Sequence, residues 1–144
     1  MKRHESIAPL SRDHHGSLLL AQLLKKNAPV YRDMPDNAKD KARYAQQQFE
    51  EHIKKHFEQE EAMLELVKDV YPGINALAAE INTEHRELTA LFYSLESATD
   101  LETAMDTLAI ALETHIRKEE RVLFPLLQQH CSEELLQEIH TLLH

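Results

Sequence analysis

Cysteine, glycine and proline are scarce in this sequence, and their scarcity limits both its fold and its chemistry. The one cysteine, Cys131, has no partner for an internal disulfide and no cysteine neighbour at metal-site spacing. Two glycines and five prolines leave few turn signals, whereas alanine, leucine, glutamate, glutamine and lysine, which favour helices, are abundant. We therefore predict an all-α chain, and its 144 residues fit a single domain over residues 1–144.

Positive charge and long apolar runs are also lacking. The formal net charge of -9 argues against a nucleic-acid partner, because phosphate binding needs a surplus of lysine and arginine on one face. No run of about 18 uncharged apolar residues is present, and the first residues lack the apolar core of a secretory signal. Gly-rich phosphate loops and Ser-centred nucleophile motifs are missing as well, which leaves kinase and hydrolase functions without support. We expect a cytoplasmic protein with no membrane partner.

Helix breakers and capping residues divide the sequence into four long helical segments and a short tail. The segments cover residues 11–27, 36–71, 74–98 and 99–125, and the tail follows an N-cap at Ser132. Ser11 and Asp36 are the predicted N-caps of the first two segments, and Thr99 with Glu102 fits a capping box for the fourth. The fourth segment should kink or end near Pro125. Because two connections are short, we predict an antiparallel up-down-up-down four-helix bundle with a short C-terminal helix.

Histidines and glutamates recur on the helix faces that should point inward. At 100° per residue, His85 lies at the edge of the apolar stripe of the third segment. On the second segment the stripe carries His52, His56 and Glu60 at successive four-residue steps, and on the fourth it carries His115 and Glu119 four residues apart. Each of these two segments therefore turns at least one imidazole and one carboxylate toward the core.

The first segment contains two adjacent histidines, His14 and His15, and helix periodicity chooses between them. The residues three, six, seven and ten positions after His14 reproduce the largely apolar pattern that follows His85: Ser17, Leu20, Ala21 and Leu24. Because His15 lies about 100° further round the helix, we predict that it sits on a flank, at the surface or beside the inward residues.

Burying four histidines and two glutamates is expensive unless a cation compensates them. An unpaired ionised carboxylate in an apolar core costs several kcal/mol, and each imidazole needs a partner for both ring nitrogens. Nitrogen and oxygen donors together suit first-row transition metals, and glutamates from two helices can bridge a pair of ions. We predict two half-sites joined by the glutamates: His14 with His56, His85 with His115, and Glu60 and Glu119 between them.

Four segments of the sequence resemble the hemerythrin-like, or HHE cation-binding, family over essentially the whole chain. They are "RDHH", "HIKKHFEQEEAML", "NTEHREL" and "HIRKEERVLFPLL". The resemblance implies an antiparallel four-helix bundle around a non-haem di-iron centre that binds dioxygen when ferrous. It also implies that the metal ligands are His14, His56, Glu60, His85, His115 and Glu119.

The sequence departs from classical hemerythrins in two places. Classical hemerythrins carry a second histidine four residues after the histidine of the third helix, and this sequence has Thr89 there. They also carry an aspartate five residues after the histidine of the fourth helix, whereas this sequence has Glu119 four residues after it. These departures predict a more open centre, in which water, a chelating carboxylate or His52 fills the vacant position. His15, His52 and Thr89 are thus candidates for additional ligands or for hydrogen-bond partners of the ligands. Glu61 and Glu120 are predicted to point outward or to orient an imidazole.

Two functions are consistent with such a centre. We favour a binding protein over an enzyme, with two iron ions that bind dioxygen or a related small molecule for carriage, sensing or storage. The alternative is iron handling or redox chemistry, in which the centre reacts with nitric oxide or peroxide or donates iron to damaged iron centres. Zinc or manganese also accepts these ligands, and the sequence does not identify a protein partner.

Overall fold

The computed structural model describes residues 2–144 and contains helices, turns and loops, with no β-strand among those residues. The α-helices are α1 (Ala8–Leu24), α2 (Ala38–Gln48), α3 (Lys54–Leu66), α4 (Pro72–Ser94), α5 (Leu101–Lys118), α6 (Phe124–His130) and α7 (Glu133–Leu143). The prediction of an all-α chain is confirmed. In the described part of the chain, no helix has the length and hydropathy needed to cross a membrane.

Two π-helical turns join shorter helices into long ones. The turn Phe49–Ile53 connects α2 to α3, and the turn Glu119–Leu123 connects α5 to α6. A 3-10 turn, Leu95–Ser97, extends the end of α4. The chain is therefore helical without interruption over residues 38–66 and 101–130, which correspond to the second and fourth predicted segments. π-Helical turns are rare and concentrate at functional sites, and neither turn was predicted from the sequence.

The caps of two helices lie one residue later than predicted. The side chain of Asn37, not of Asp36, caps α2 by accepting a hydrogen bond from the amide of Asp40 at 3.0 Å. Asp100, not Thr99, caps α5 by accepting from the amide of Thr103 at 3.1 Å. Both pairs of neighbours are good capping residues, so the sequence alone does not separate them. The predicted cap of the C-terminal helix is confirmed, because the Ser132 side chain caps α7 by accepting from the amide of Leu135 at 3.1 Å.

The first helix begins before its predicted cap. It starts at Ala8 with Pro9 in its first turn, where the missing amide hydrogen costs no helical bond. Ser11 consequently lies inside the helix, and its hydroxyl donates a hydrogen bond to the carboxylate of Glu120 at 2.8 Å. The helix ends at Leu24 rather than Asn27, because Lys25 is extended and Asn27 has a positive φ of 61°.

Pro125 does not end the fourth long helix. The π-helical turn lies directly before it, and the amide of Phe124 donates to the carbonyl of Glu119, five residues back. Continuing this pattern, Pro125 would donate to the carbonyl of Glu120, but proline has no amide hydrogen. The guanidinium of Arg3 donates to that carbonyl instead. The helix therefore continues through Pro125, and the carbonyl of Glu120 still has a hydrogen-bond donor.

Two apolar clusters form the core. One contains Phe49, Phe92 and Leu108, and the other contains Ile7, Met63 and Phe124. Helix α1 packs along α5, α4 packs against α3 and α5, and α7 packs on α3. In each long helix, one buried histidine lies along the chain between residues of the two clusters. The fold thus places a polar layer between two apolar ones.

Candidate metal centre

Six side chains of the polar layer are histidines and glutamates, and all of them are buried. None is more than 6% exposed: His14, His56, Glu60, His85, His115 and Glu119. Helix periodicity turned all six toward the core. It also placed His52 in the inward stripe of the second segment, and this was wrong, because the His52 side chain is 68% exposed. The structure buries His14 and leaves His15 exposed, as the pattern on the first helix predicted.

The six residues form two groups that could each hold a metal ion. In each group, one nitrogen or oxygen atom from every member lies within 4.8 Å of the corresponding atoms of the others. The first group contains His14 and His56, and the second contains His85 and His115. Glu60 and Glu119 belong to both groups, so the two sites share their carboxylates.

The Nε2 atom of every histidine faces the two shared carboxylates. His14 Nε2 lies 3.0 Å from Glu119 Oε1, and His115 Nε2 lies 3.3 Å from the same oxygen. His85 and His56 place Nε2 at 3.0 and 3.3 Å from Glu60 Oε1. Four imidazoles on four helices therefore converge on one pair of glutamates.

The Nδ1 atom of every histidine faces outward and meets another carboxylate. The partners and distances are Glu120 for His14 at 2.6 Å, Asp13 for His56 at 3.0 Å, Glu61 for His85 at 2.8 Å and Glu84 for His115 at 2.7 Å. An imidazole that donates Nδ1–H to a carboxylate presents the lone pair of Nε2 on its other side, which is the usual arrangement of a metal-binding histidine. All four rings are oriented for coordination at the centre.

Two of these four carboxylates were not found from the sequence. Glu61 and Glu120, which follow the buried glutamates, were predicted to point outward or to orient an imidazole, whereas Asp13 and Glu84 were missed. A signal was present, because Asp13 and Glu84 each directly precede a buried histidine. In every case, an acid next to an inward residue on one helix supports a histidine of another helix.

Several polar atoms of the centre have no hydrogen-bond partner within the described part of the chain. They are His14 Nε2, His56 Nε2, His115 Nε2, Glu60 Oε2 and both carboxylate oxygens of Glu119. Some lie at ion-pair distance from one another, but without the angles of a hydrogen bond. Buried atoms left in this way cost several kcal/mol, whereas a cation would satisfy all of them at once. The donor set therefore fits a transition-metal pair.

Without a bound cation, the carboxylates hold protons on the imidazoles. Burial favours the neutral form of His14, but the carboxylates of Glu119, Glu120 and Glu60 around the ring overcome it and raise its pKa to about 11. Burial also opposes charge on His56, yet the attraction of Glu60 and the bond with Asp13 raise its pKa to about 9. The protons act as substitutes for the missing positive charge.

The pKa values of Glu60 and Glu119 shift in opposite directions. Burial raises the pKa of Glu119, and the nearby carboxylate of Glu60 raises it further. Burial opposes ionisation of Glu60 too, but His56 and the hydrogen bonds around it bring its pKa well below the usual range. One carboxylate of the pair thus stays ionised and the other resists ionisation, as expected for like charges that lack a cation between them.

The structure brings none of His15, His52 and Thr89 into the six-residue cluster. His52 lies in the first π-helical turn, which buries Phe49 and Ile53 and leaves the His52 side chain 68% exposed. Thr89 is half-buried, and its hydroxyl donates to the backbone carbonyl of His85 at 2.7 Å. The position at which classical hemerythrins carry a further histidine therefore contributes no ligand atom here.

Two clefts reach the walls of the centre. The larger one, about 580 Å³, is lined by His56 and Asp13 together with charged and polar side chains. The smaller one, about 300 Å³, is lined by His85 and Thr89, by the rings of Phe49 and Phe57, and by four charged residues, Lys54, Glu58, Glu61 and Arg86. The second cleft therefore opens beside Thr89.

The comparison with known families agrees with this geometry. The model of the hemerythrin HHE cation binding domain matches residues 5–127. Searches of the curated proteins and of the solved structures each found no significant match. The matched region contains all six residues of the cluster and the four carboxylates that meet their Nδ1 atoms.

Proposed function

This chain belongs to the hemerythrin HHE cation-binding family, and we propose that it holds two non-haem iron ions and binds dioxygen or a related small molecule there. One observation carries the proposal. Two groups of buried ligand atoms share a pair of glutamates whose oxygens lack sufficient partners of their own. A single ion would leave two imidazoles uncompensated, whereas a pair uses all six side chains.

Each ligand has a distinct role in this proposal. His14 and His56 would hold one ion, and His85 and His115 would hold the other. Glu60 and Glu119 would bridge the pair, which is the role of carboxylates from facing helices in di-iron bundles. When bound, a ferrous pair supplies the electrons that reversible binding of dioxygen requires.

The chain keeps its histidines basic and correctly turned. The four outer carboxylates accept Nδ1–H and prevent the rings from rotating. Phe57 stacks on the imidazole of His85 with centroids 4.1 Å apart, and Phe124 stacks on His14 at 5.6 Å. These rings and the apolar clusters exclude water from the centre and so favour a reversible reaction over uncontrolled oxidation.

The balance of charge does not favour an anionic ligand. Two ferrous ions, Arg3 and Lys118 would carry six positive charges, and seven carboxylates lie around them: Asp13, Glu60, Glu61, Glu80, Glu84, Glu119 and Glu120. An assembly without an excess of positive charge does not select anions. The cleft beside His85 and Thr89 has two phenylalanine rings among the charged side chains of its wall, and these rings offer an apolar surface to a small molecule such as dioxygen.

We also propose that the whole chain is one domain in which four long helices run up-down-up-down. Hydrogen bonds between neighbouring long helices support the antiparallel order, because moving up the sequence in one helix moves the hydrogen-bond partner down the sequence in the other. Between the second and third helices the pairs are Gln46 with Phe92 and Glu61 with His85. Between the third and fourth they are Glu80 with Lys118 and Glu84 with His115, and between the first and fourth they are His14 with Glu120 and, just beyond the end of α1, Lys26 with Asp106.

The absorption spectrum of the ferrous protein tests the function. We expect an absorption band to appear when the protein meets air, to disappear under vacuum and to return over repeated cycles. The zinc-loaded protein is the control and should show no such band. Rapid oxidation that vacuum does not reverse would favour iron handling or redox chemistry instead, and a spectrum insensitive to air would contradict both functions.

A further inference from the structure

Residues 2–6, here called the N-terminal segment, contact the π-helical turn Glu119–Leu123 through Arg3. The Arg3 side chain donates to Glu120 Oε1 from Nε at 3.2 Å and from Nη2 at 3.1 Å, and it also donates to the Glu120 carbonyl. The segment is anchored further along, because the amide of His4 donates to Gln128 Oε1 at 3.0 Å and Gln128 Nε2 donates to the Lys2 carbonyl at 3.1 Å. The segment is therefore fixed at several points.

These contacts lie largely outside the region that matches the family. The match begins at residue 5 and ends at residue 127, so Arg3, His4 and Gln128 are all beyond it. The same is true of Glu133, whose Oε1 lies 3.1 Å from His4 Nε2. Two stretches flanking the common domain thus meet each other, and one of them contacts a residue inside the domain, Glu120, through Arg3.

Glu120 is the group through which the segment reaches the centre. Its Oε2 accepts from His14 Nδ1 at 2.6 Å, and the Ser11 hydroxyl holds the same carboxylate at 2.8 Å. The Arg3 guanidinium also lies over the ring of Phe124, 5.5 Å from its centroid, and that ring is stacked on the imidazole of His14. Arg3 therefore contacts both groups that fix the plane of His14.

We propose that Arg3 is a positioning residue of the metal centre, acting through Glu120 and Phe124 on His14. The N-terminal segment thereby strengthens metal binding at the His14–His56 half-site specifically. The inference rests on the proposed function, since it needs two ions. Lys118 has the corresponding place at the other half-site, because it donates to Glu84, the partner of His115.

The remaining two outer carboxylates are less constrained. The side chains of Asp13 and Glu61 are 52% and 48% exposed, against 27% for Glu120 and 25% for Glu84. Each half-site therefore has one histidine held through a partly buried ion pair and one held through a solvated carboxylate. Loss of Arg3 should loosen one ion and leave the other unchanged.

Transfer of zinc from the loaded protein to a coloured chelator tests this. Wild-type protein should release two ions slowly, whereas Arg3→Ala should release one ion per chain roughly tenfold faster, the lower end of the effect of removing an outer-sphere partner. Arg3→Lys should restore part of the difference. Lys2→Ala, which removes the neighbouring exposed cation, should release zinc as the wild type does. Lys118→Ala should accelerate release of the ion at the His85–His115 half-site. The double variant Arg3→Ala with Lys118→Ala should therefore accelerate release of both ions.

The outcomes separate this inference from the function on which it rests. If wild-type protein takes up no zinc, the proposed metal centre fails and the role of Arg3 fails with it. If wild-type protein takes up two ions and Arg3→Ala releases both at the wild-type rate, only the role of Arg3 is overturned. Equal acceleration of both ions in Arg3→Ala would also overturn it, because a general loosening of the fold does not discriminate between half-sites.

Discussion

Replacing His56 or His115 by alanine is expected to remove much of the bound metal. Each imidazole supplies one of the few nitrogen donors of its half-site, and alanine removes both that ligand and the imidazole that donates to the outer carboxylate. Loss of an outer-sphere partner alone lowers metal affinity by about 10–100-fold, so loss of the ligand itself should lower it by at least about 100-fold. Metal content per chain after gel filtration measures the effect.

His140→Ala is the matched control. His140 lies on α7, where its ring stacks on His144 with centroids 3.8 Å apart, and it is not part of the six-residue cluster. This variant should keep the wild-type metal content. Circular dichroism of all three variants checks that the helices remain. Equal metal in the three proteins would count against the ligand assignment.

Lowering the pH through about 6 is expected to strip metal from the protein, because a coordinated imidazole must be deprotonated and histidine ordinarily titrates near 6.5. Competition with protons should be strong here, since the metal-free centre raises the pKa of His14 to about 11 and that of His56 to about 9. Metal uptake at pH 7 should therefore release protons. Metal content after dialysis at a series of pH values tests this, and content unchanged down to pH 4 would contradict it.

The stability of the metal-free protein should depend on pH in the opposite sense. A histidine whose pKa is raised by folding binds its proton more tightly in the folded state than in the unfolded state. For His56 this stabilisation is complete below the unfolded value near 6.5 and disappears as the pH rises through about 9. The metal-free protein should therefore melt at a lower temperature at pH 10 than at pH 7. Bound metal replaces the protons and should remove this trend.

Helix periodicity predicted which histidines and glutamates are buried, apart from His52, better than capping residues predicted the helix ends. Periodicity separated His14 from His15 because neighbouring residues lie 100° apart around the helix axis, which is enough to place one imidazole in the core and the other at the surface. The cap at Asp36 was wrong by one residue, because Asn37 has nearly the same capping ability and tertiary packing chooses between them. Local propensity cannot resolve alternatives that differ by so little.

Other parts of the site depend on information that a local pattern does not contain. The π-helical turns change the register by one residue, and the exposure of His52 follows from the first of them. Nothing in helix propensity distinguishes such a turn from the regular helix around it. Arg3 acts on Glu120 across 117 positions of the chain, a contact that only the folded structure reveals.

Elemental analysis of the protein purified from its own host tests the central claim most directly. The claim is that four imidazoles and two carboxylates are buried together because a pair of cations compensates them. Two iron ions per chain are expected in the wild type, and almost none in a variant with both Glu60→Ala and Glu119→Ala. A wild-type chain that carries no transition metal, or a double variant that keeps its metal, would contradict the account.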